Sequence, residues 1–359
     1  MSEPTPLVQL VSALGAAQGV AAGGDRTSVA DVLQELEAAW AKCPADDLDS
    51  FDVANIKLTR WTLRRLLNRD DDQDLDDDQD LTEALLLARQ LGSAQEDQQL
   101  LIQVLLASAD SARWSGDFET ARPMIDEAVE RARAAFGPWA EESAQAHNCL
   151  GVWARYRGEF ELARRSYTTA LEIAERAADP ELRAGVLHNL ASLEHLAGRP
   201  ELALELIDTA LSLRPDDPGE RDADNGVRAV ILMDLLRYRE SAELFRALSE
   251  RLDRRWGPGS AEVMHLNANW AVLEQRRGDL GAARDRYAEA IAAAERLGGP
   301  GHPDTCVIYA NAAHLAHTRG DQDAAGFFAQ RALSGLEGRV ATDLPALRLA
   351  RQVHDALTA

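Results

Sequence analysis

The chain has 359 residues, of which 46% are hydrophobic and 27% are charged, a balance typical of a folded globular protein rather than a disordered one. Its net charge of -22 argues against general binding to nucleic acid or to an anionic membrane, because both require positive potential. Aromatic residues make up only 5%, while alanine and leucine dominate, which favours helices over strands.

The three cysteines, Cys43, Cys149 and Cys306, lie far apart in the sequence. They form no CxxC or Cys/His spacing, so neither a zinc motif nor a disulfide framework is indicated. We therefore expect a reducing, cytoplasmic setting. Arginine almost replaces lysine, which favours a GC-rich bacterial genome.

Two weak helix pairs are predicted at the start of the chain. Residues 5–20 and 27–42 form one candidate pair, and residues 51–68 and 80–92 form another. Residues 4–24 carry no charge, but Glu3 stands where a signal peptide needs positive charge, and glutamines and glycines dilute the apolar run. We expect a surface helix and a loop there rather than a secretion signal or a membrane span.

Between two of these helices lies the acidic stretch DDDQDLDDDQDL, residues 70–81, which is one hexapeptide written twice. The EF-hand pattern needs a central Gly and a terminal Glu, and neither is present. We expect a solvated loop over residues 70–80, because a run of like charges repels itself, with weak cation binding as the alternative.

From residue 100 onward a short motif recurs as WSGDFETA, YRGEFELA, LAGRPELA, LLRYRESA, RRGDLGAA and TRGDQDAA. The turn residues of these copies, 39 to 42 positions apart, are Gly116, Gly158, Gly198, Arg237, Gly278 and Gly320. Five copies carry alanine five and twelve residues after the turn, whereas the fourth carries Ala242 and Ser249. A spacing of seven returns to one helix face, where small residues let neighbouring helices approach closely.

This pattern resembles the tetratricopeptide repeat family, whose unit is a helix-turn-helix, over roughly residues 100 to 335. The long period and the loops FGPWAEESA, WGPGSAEVM and GGPGHPDTC are similar to those of kinesin-light-chain-like repeats. The copy at Arg237 departs most, since it lacks the turn glycine. The resemblance implies an all-α, right-handed superhelix, or α-solenoid, of seven to eight helix pairs.

The predicted organisation has three parts. Degenerate repeat-like helices occupy residues 1–92, six repeats occupy residues 93–338, and a capping helix lies within residues 339–359. The cap is predicted from DLPALRLARQVHDAL, residues 343–357, because a solenoid must cover its last apolar face.

The resemblance also implies where a ligand would lie. In the family, the first helix of each pair lines a concave groove, and the ligand-contacting positions precede the turn at steps of three or four residues, which form one helical stripe. Transferred to this sequence, those positions predict the ligand-binding residues Asn148, Arg155, Tyr156, His188, Asn189, His195, Arg228, His265, Asn269, Arg276, Asn311, His314 and His317.

Three asparagines, Asn189, Asn269 and Asn311, stand at the same position of their repeats. An asparagine side chain carries a donor and an acceptor, so it can pair with both polar groups of a peptide backbone. In this family such asparagines commonly hold an extended peptide. The alternative is that they bond a neighbouring helix.

Five of the eight histidines map to the groove, and several interpretations of them stay open. They could be neutral polar lining, or a site for an anionic or pH-sensitive ligand. A metal site is a further alternative, although no third ligand is fixed beside His314 and His317 by sequence. General acid–base catalysis is the last.

No GxSxG, HExxH, Walker or Rossmann motif is present, so we expect no catalytic motif, no cofactor and no metal site. The sequence favours a scaffold or receptor that binds a peptide or protein segment in its groove. One alternative is a small-molecule-binding or catalytic helical protein of a biosynthetic pathway that uses the histidines. Another is a regulatory subunit whose output domain is a separate chain. Neither nucleic acid nor membrane is an expected partner, and the oligomeric state stays open.

Overall fold

The computed structural model describes residues 4–21, 25–67, 74–215, 218–342 and 344–358. Within those ranges the chain forms seventeen α-helices, one short 3-10 helix at Ala45–Asp47 and no strand. The α-helices in chain order are α1 (Pro6–Ala21), α2 (Arg26–Lys42), α3 (Ser50–Leu67), α4 (Asp74–Ala88), α5 (Gln95–Trp114), α6 (Phe118–Ala135), α7 (Glu141–Arg157), α8 (Phe160–Ala177), α9 (Pro180–Leu196), α10 (Pro200–Leu213), α11 (Pro218–Asp234), α12 (Tyr238–Trp256), α13 (Ala261–Arg277), α14 (Leu280–Gly298), α15 (Pro303–Thr318), α16 (Gln322–Leu336) and α17 (Pro345–Thr358).

Consecutive helices pack as pairs, from α1 with α2 through α15 with α16, and α17 packs on the last pair. The first helices of neighbouring pairs, α5, α7, α9, α11, α13 and α15, also contact one another and form the inner surface. The expected all-α solenoid is therefore confirmed, with eight helix pairs and a C-terminal helix in the described part of the chain.

The repeated alanines lie buried within the helix pairs. Because alanine has no side chain beyond Cβ, it lets two helices approach closely. The exposed fraction is 0% for all ten alanines of the five regular copies, which are Ala121, Ala128, Ala163, Ala170, Ala203, Ala210, Ala283, Ala290, Ala325 and Ala332.

The fourth turn differs from the sequence-based register by one residue. The five turn glycines have φ between 75° and 87°, and in the fourth copy the left-handed residue is Leu236, with φ 60°. Its amide bonds the Met233 carbonyl, as the Gly158 amide bonds that of Arg155. The prediction of Arg237 as the turn residue is therefore wrong. The small-residue positions of this copy fall at the buried Ser241 and at Leu248, not at Ala242 and Ser249.

The acidic-loop prediction over residues 70–80 is wrong for residues 74–80, which form the start of α4, while residues 68–73 lie outside the described residues. Asp80 is only 3% exposed. It accepts hydrogen bonds from Lys57 Nζ at 3.1 Å and Arg60 Nε at 2.6 Å, both on α3. These two cations offset the burial of its charge, so α4 begins earlier than the like-charge run suggests.

The described residues between α16 and α17, 337–342 and 344, form a segment that we call the strap, which crosses to the ends of α5 and α7. Arg339 donates to the carbonyl oxygens of Ser115 at 3.2 Å and Gly301 at 2.9 Å. Arg157 donates to the Arg339 carbonyl at 2.9 Å, and the Ala341 amide donates to the Arg157 carbonyl at 2.7 Å. The strap thus joins the turns that follow α5 and α7 to the last repeat.

Apolar contacts complete this closure. Leu336, Val340 and Leu347 belong to the same buried cluster as Trp153 of α7. The rings of Trp114 and His302 also meet, with centroids 4.5 Å apart. The predicted capping helix is present as α17, but the C-terminal segment also closes the groove, which the sequence did not predict.

The buried ion pair of Asp80 gives a first prediction. Replacing Asp80 by Asn leaves Arg60 without its buried counter-charge and leaves Lys57 with only the partly exposed Glu83, so we expect a loss of about 3 kcal/mol in the free energy of unfolding. Urea denaturation of the full chain measures it. Asp31→Asn, at an exposed position of α2, is the matched control and should change stability little. Equal stabilities of the two variants would contradict the importance of the pair.

Two turn glycines isolate the contribution of the strap. An added Cβ at Gly158 would lie 2.7 Å from the Ala341 Cβ, whereas one at Gly278 would meet nothing within 4 Å. Both glycines have positive φ, so alanine costs each position about 1 kcal/mol of backbone strain.

We therefore expect Gly158→Ala to destabilise the protein by about 1 kcal/mol more than Gly278→Ala does, because only the first displaces the strap. Gly158→Ala should also speed hydrogen exchange at the Ala341 amide. Denaturation and exchange mass spectrometry measure the two effects. The same exchange rate in both variants would refute the packing of the strap on this turn.

Candidate functional site

The concave surface holds a partly enclosed cavity of about 450 Å³, a size typical of ligand sites. Side chains from α7, α9, α11, α13, α15 and the C-terminal segment line it. Its polar lining residues are Arg155, Tyr156, His195, Asp234, His265, Asn269, Arg276, Asp304 and Asn311.

Helical spacing explains why these side chains meet. On α13, the lining residues His265, Asn269 and Arg276 share one face with Val272, because steps of three and four residues return to the same side of a helix. On α15, Asp304 and Asn311 are seven residues apart and point the same way. The two helices contact each other, so their lining faces are continuous.

The start of each helix is fixed by a capping side chain. Ser260 Oγ accepts from the Val263 amide at the beginning of α13. His302 Nδ1 accepts from the Asp304 amide at 3.1 Å at the beginning of α15. This second cap fixes the backbone of Asp304 at the edge of the cavity.

The remaining wall is apolar, and part of it comes from the C-terminal segment. The first helices contribute Val230, Met233, Val272 and Val307, and the segment after α15 contributes Leu336, Val340, Leu344, Pro345, Ala346 and Leu349. The cavity therefore combines a polar stripe with an apolar cover, which suits a ligand that has both kinds of surface.

Seven of the thirteen predicted residues meet in this cavity, although their role as ligand contacts stays a prediction. They are Arg155, Tyr156, His195, His265, Asn269, Arg276 and Asn311.

Three other predicted residues bond neighbouring helices instead. Asn189 Nδ2 donates to Asn148 Oδ1 at 3.0 Å, so these two asparagines join α9 to α7. His188 Nδ1 lies 2.7 Å from Asp224 Oδ1. Because Asp224 is 0% exposed and also accepts from Arg214, we interpret His188 as part of a structural polar cluster.

Arg228, His314 and His317 lie outside the cavity. Arg228 Nε donates to Asp208 on α10 at 2.6 Å. Its predicted place followed from the turn register at Arg237; in the corrected register, Val230, Met233 and Asp234 line the cavity instead. His314 and His317 are exposed near the end of α15.

Asp234 joins two of the cavity residues. It contacts His195 Nε2 at 2.6 Å and Arg276 Nη1 at 2.5 Å. Burial opposes the ionisation of Asp234, but the hydrogen bonds from His195 and Arg276 outweigh it, so the pKa of Asp234 lies below its usual value. Asp234 therefore holds Arg276 and orients the His195 ring at the cavity wall.

Arg155 differs from Arg276, because no ion pair joins it to a carboxylate among the described residues. Its guanidinium stacks on the Tyr156 ring at 4.7 Å, and its buried Nε bonds none of the described groups. Arg113 stacks on the same ring at 4.5 Å but pairs with Asp110. Arg155 is thus a cation at the cavity wall whose charge is not locally balanced.

Three other polar groups at the cavity wall retain hydrogen-bonding capacity. The buried Asp304 Oδ2 accepts no hydrogen bond from the described residues, and His265 Nε2 lies 3.7 Å from it. Asn269 and Asn311 are half-buried, and their side-chain amides bond no described group. These groups can therefore bind a ligand without breaking an existing bond.

Within the described ranges, no three His, Cys, Asp or Glu side chains group closely enough to hold a metal ion. None of the helices described combines the length and apolar character that crossing a membrane requires.

The sequence missed Asp304, Met233 and the whole C-terminal cover of the cavity. Asp304 stands at the beginning of its helix, outside the offsets carried over from the family. Met233 was lost through the register error at the fourth turn. The cover comes from residues far along the chain, and no local pattern in the repeats signals that contact.

The sequence model described as tetratricopeptide repeat matches residues 100–176, 142–216 and 260–337, which together exceed half of the chain. None of the curated proteins compared with the chain matches it.

Solved structures resemble the chain at low sequence identity, and the two Rap structures share its fold. A Rap protein complexed with competence and sporulation factor is 12% identical, with a TM-score of 0.61 and 97% of each chain covered. The apo form of RapI is 15% identical, with a TM-score of 0.56 and coverage of 80% of this chain and 98% of that one. A putative kinesin light chain repeat protein of Podosopora anserina is 15% identical, with a TM-score of 0.42 and coverage of 54% and 95%.

The lowered pKa of Asp234 gives a prediction with a defined pH window. A carboxylate with a lowered folded pKa stabilises the protein above its unfolded pKa and ceases to do so as the pH falls through the folded one. At neutral pH, Asp234→Asn should therefore cost about 2 kcal/mol of unfolding free energy, because two charge-assisted hydrogen bonds are lost.

The difference between parent and Asp234→Asn should narrow as the pH falls below about 4. Urea denaturation at a series of pH values measures it. Asp285→Asn, at an exposed position of α14, is the control. A difference that persists unchanged in acid would show that the carboxylate charge is not what stabilises this cluster.

Proposed function

Because this chain belongs to the tetratricopeptide repeat family, we propose that it is a cytoplasmic scaffold or receptor that binds a short peptide segment of a partner in its concave cavity. Family membership establishes the coarser class, a helical-repeat scaffold for protein interaction. The observation that carries the finer proposal is the pair Asn269 and Asn311, whose amides face one cavity and bond no described group.

The two asparagines occupy the same repeat position on adjacent inner helices, α13 and α15. Each side chain offers one acceptor and two donors, which match the carbonyl and N–H of a peptide unit. Two such groups on neighbouring repeats would hold successive parts of one extended backbone. They would recognise the chain without reading its side chains.

The charged groups of the cavity support a ligand with polar ends. Arg155 offers a guanidinium that no described carboxylate balances, which suits a carboxylate of the ligand. Asp304 Oδ2 offers an acceptor that suits an N–H or ammonium group. The apolar cover from Leu336, Val340 and Leu349 would contact side chains between those ends.

The position of the strap favours a short peptide as the ligand rather than a long one. A peptide that followed the inner surface from Asn148 to Asn311 would meet Leu336, Val340 and Leu344, which line the same cavity. Such a peptide would have to displace the strap, and the hydrogen bonds between the strap and Arg157 would be broken. The Asn148 and Asn189 side chains bond each other, which argues against one continuous row of asparagine contacts to a long peptide.

The cytoplasmic part of the proposal rests on the cysteines. Cys43, Cys149 and Cys306 are free thiols. Burial raises the pKa of the Cys306 thiol to about 11, so this thiol is protonated and unreactive at neutral pH.

A second candidate function is the binding of a small organic molecule, favoured by the volume of about 450 Å³ and by the mixture of apolar cover and polar stripe. The two candidates differ in how they use the two asparagines. A short peptide would pair its backbone with both Asn269 and Asn311, whereas a small molecule would fill the cavity without needing both side chains.

A library of short random peptides displayed on phage tests the main proposal. We expect selection on the parent protein to yield binders, and Asn269→Ala and Asn311→Ala each to weaken them by about 1 to 3 kcal/mol, the usual effect of leaving a buried polar partner unpaired. Arg155→Gln should weaken only those binders that carry a carboxylate in the cavity. Isothermal titration calorimetry with the selected peptides provides the affinities.

The controls are Asn189→Ala, whose side chain already bonds Asn148, and His317→Ala, which is exposed outside the cavity. Both should bind the selected peptides nearly as the parent does. Selected peptides that bind all four alanine variants equally well would rule out the cavity as the peptide site.

A further inference from the structure

A second cavity, of about 310 Å³, lies between the beginning of α17, the beginning of α8 and the turn between α9 and α10. This cavity shares no polar residue with the groove cavity, and parts of the chain that are distant in sequence form it. Its wall includes Phe160, Glu161, Arg164, Arg199, Pro345 and Arg348. Three arginines from three different helices or turns therefore converge on one small space.

The arginines outnumber the carboxylates that neutralise them. Arg164 pairs with Glu161 at 2.5 Å and with Glu194 at 2.8 Å, and Arg199 pairs with the same Glu194. Arg348 is exposed and forms no ion pair with the described residues. Since the Glu161 side chain is 78% exposed, its charge is largely screened by water. The cavity thus has three arginines against two carboxylates, on a chain of net charge -22.

Helix ends add to this positive potential. Phe160 begins α8, Pro345 begins α17, and Arg199 directly precedes α10. At Glu159 and Arg199, the residues that cap α8 and α10, no side chain bonds the free backbone amides. Helix N-termini carry partial positive charge and unpaired N–H groups, which favour anions.

We propose that this cavity binds a small multivalent oxyanion of the phosphate class, held by Arg164, Arg199 and Arg348. Guanidinium groups bind such oxyanions through paired, charge-assisted hydrogen bonds, and the three here belong to α8, the turn before α10 and α17. The bound anion links α17 to α8 and to the turn before α10. It therefore fastens the C-terminal segment, and with it the cover of the groove cavity, to the earlier repeats.

The net charge of the protein sets the conditions under which this site acts. At long range the chain repels anions, so binding depends on contacts at short range and strengthens with the charge of the ligand. A monovalent anion such as chloride is therefore a poor ligand. Anion binding here is independent of peptide binding in the groove cavity, because the arginines of this cavity do not line the groove cavity.

The test compares thermal unfolding of the full chain in sodium phosphate and in sodium chloride at equal ionic strength. Phosphate should raise the Tm of the parent, and Arg348→Gln should weaken phosphate affinity by about tenfold or more, because it removes the one arginine without a carboxylate. Arg351→Gln is the matched control. It removes the same charge from the same helix, but Arg351 pairs with Glu337 and does not line the cavity.

Equal effects of phosphate on the parent, Arg348→Gln and Arg351→Gln would overturn the proposal, as would no effect on the parent. Titration calorimetry of the parent with inorganic phosphate and with phosphoserine then identifies the source of the group. Tighter binding of inorganic phosphate assigns a free anion, and tighter binding of phosphoserine assigns a phosphate ester. Hydrogen exchange in α17 should slow when either binds, which distinguishes fastening from binding without consequence.

Discussion

The closure of the groove depends on the contact between Arg157 and residues 339–341. Two hydrogen bonds join Arg157, the last residue of α7, to the strap: its guanidinium donates to the Arg339 carbonyl, and its own carbonyl accepts from the Ala341 amide. Gly158 permits this approach, because a Cβ there would meet Ala341. A superhelix that would otherwise present an open groove is thereby closed, and the groove becomes a partly enclosed cavity with an apolar cover.

The closure depends in turn on how tightly the helix pairs pack. Fully buried alanines at two positions of each regular repeat set a constant distance between the helices, and left-handed glycines set a constant turn. Regular units stacked with the same small rotation return the chain towards its beginning. Trp114 of the first regular repeat consequently lies against His302, which precedes α15.

Local chemistry was predictable from the sequence, and long-range contact was not. The period, the glycine turns and the alanine spacing follow from rules within one repeat, so the helix pairs and seven of the cavity residues were predicted. The fourth turn was misplaced because Leu236 adopts the left-handed conformation that glycine usually marks. Asp80 was misjudged because its partners, Lys57 and Arg60, stand on another helix. The strap was missed because nothing in residues 337–344 indicates that they contact Ser115 or Arg157.

The two proposed sites share the C-terminal segment. The groove cavity presents Asn269, Asn311, Arg155 and Asp304 beneath a cover that belongs to this segment, and the arginine-lined cavity lies where the segment meets the earlier repeats. We propose that holding or releasing the segment changes access to the groove cavity. Small-angle X-ray scattering of the full chain in solution tests the closure most directly. We predict a distance distribution that matches the closed structure, in which the end of α5 contacts the residues before α15. A larger radius of gyration and a long-distance tail, as an open superhelix would give, would contradict it.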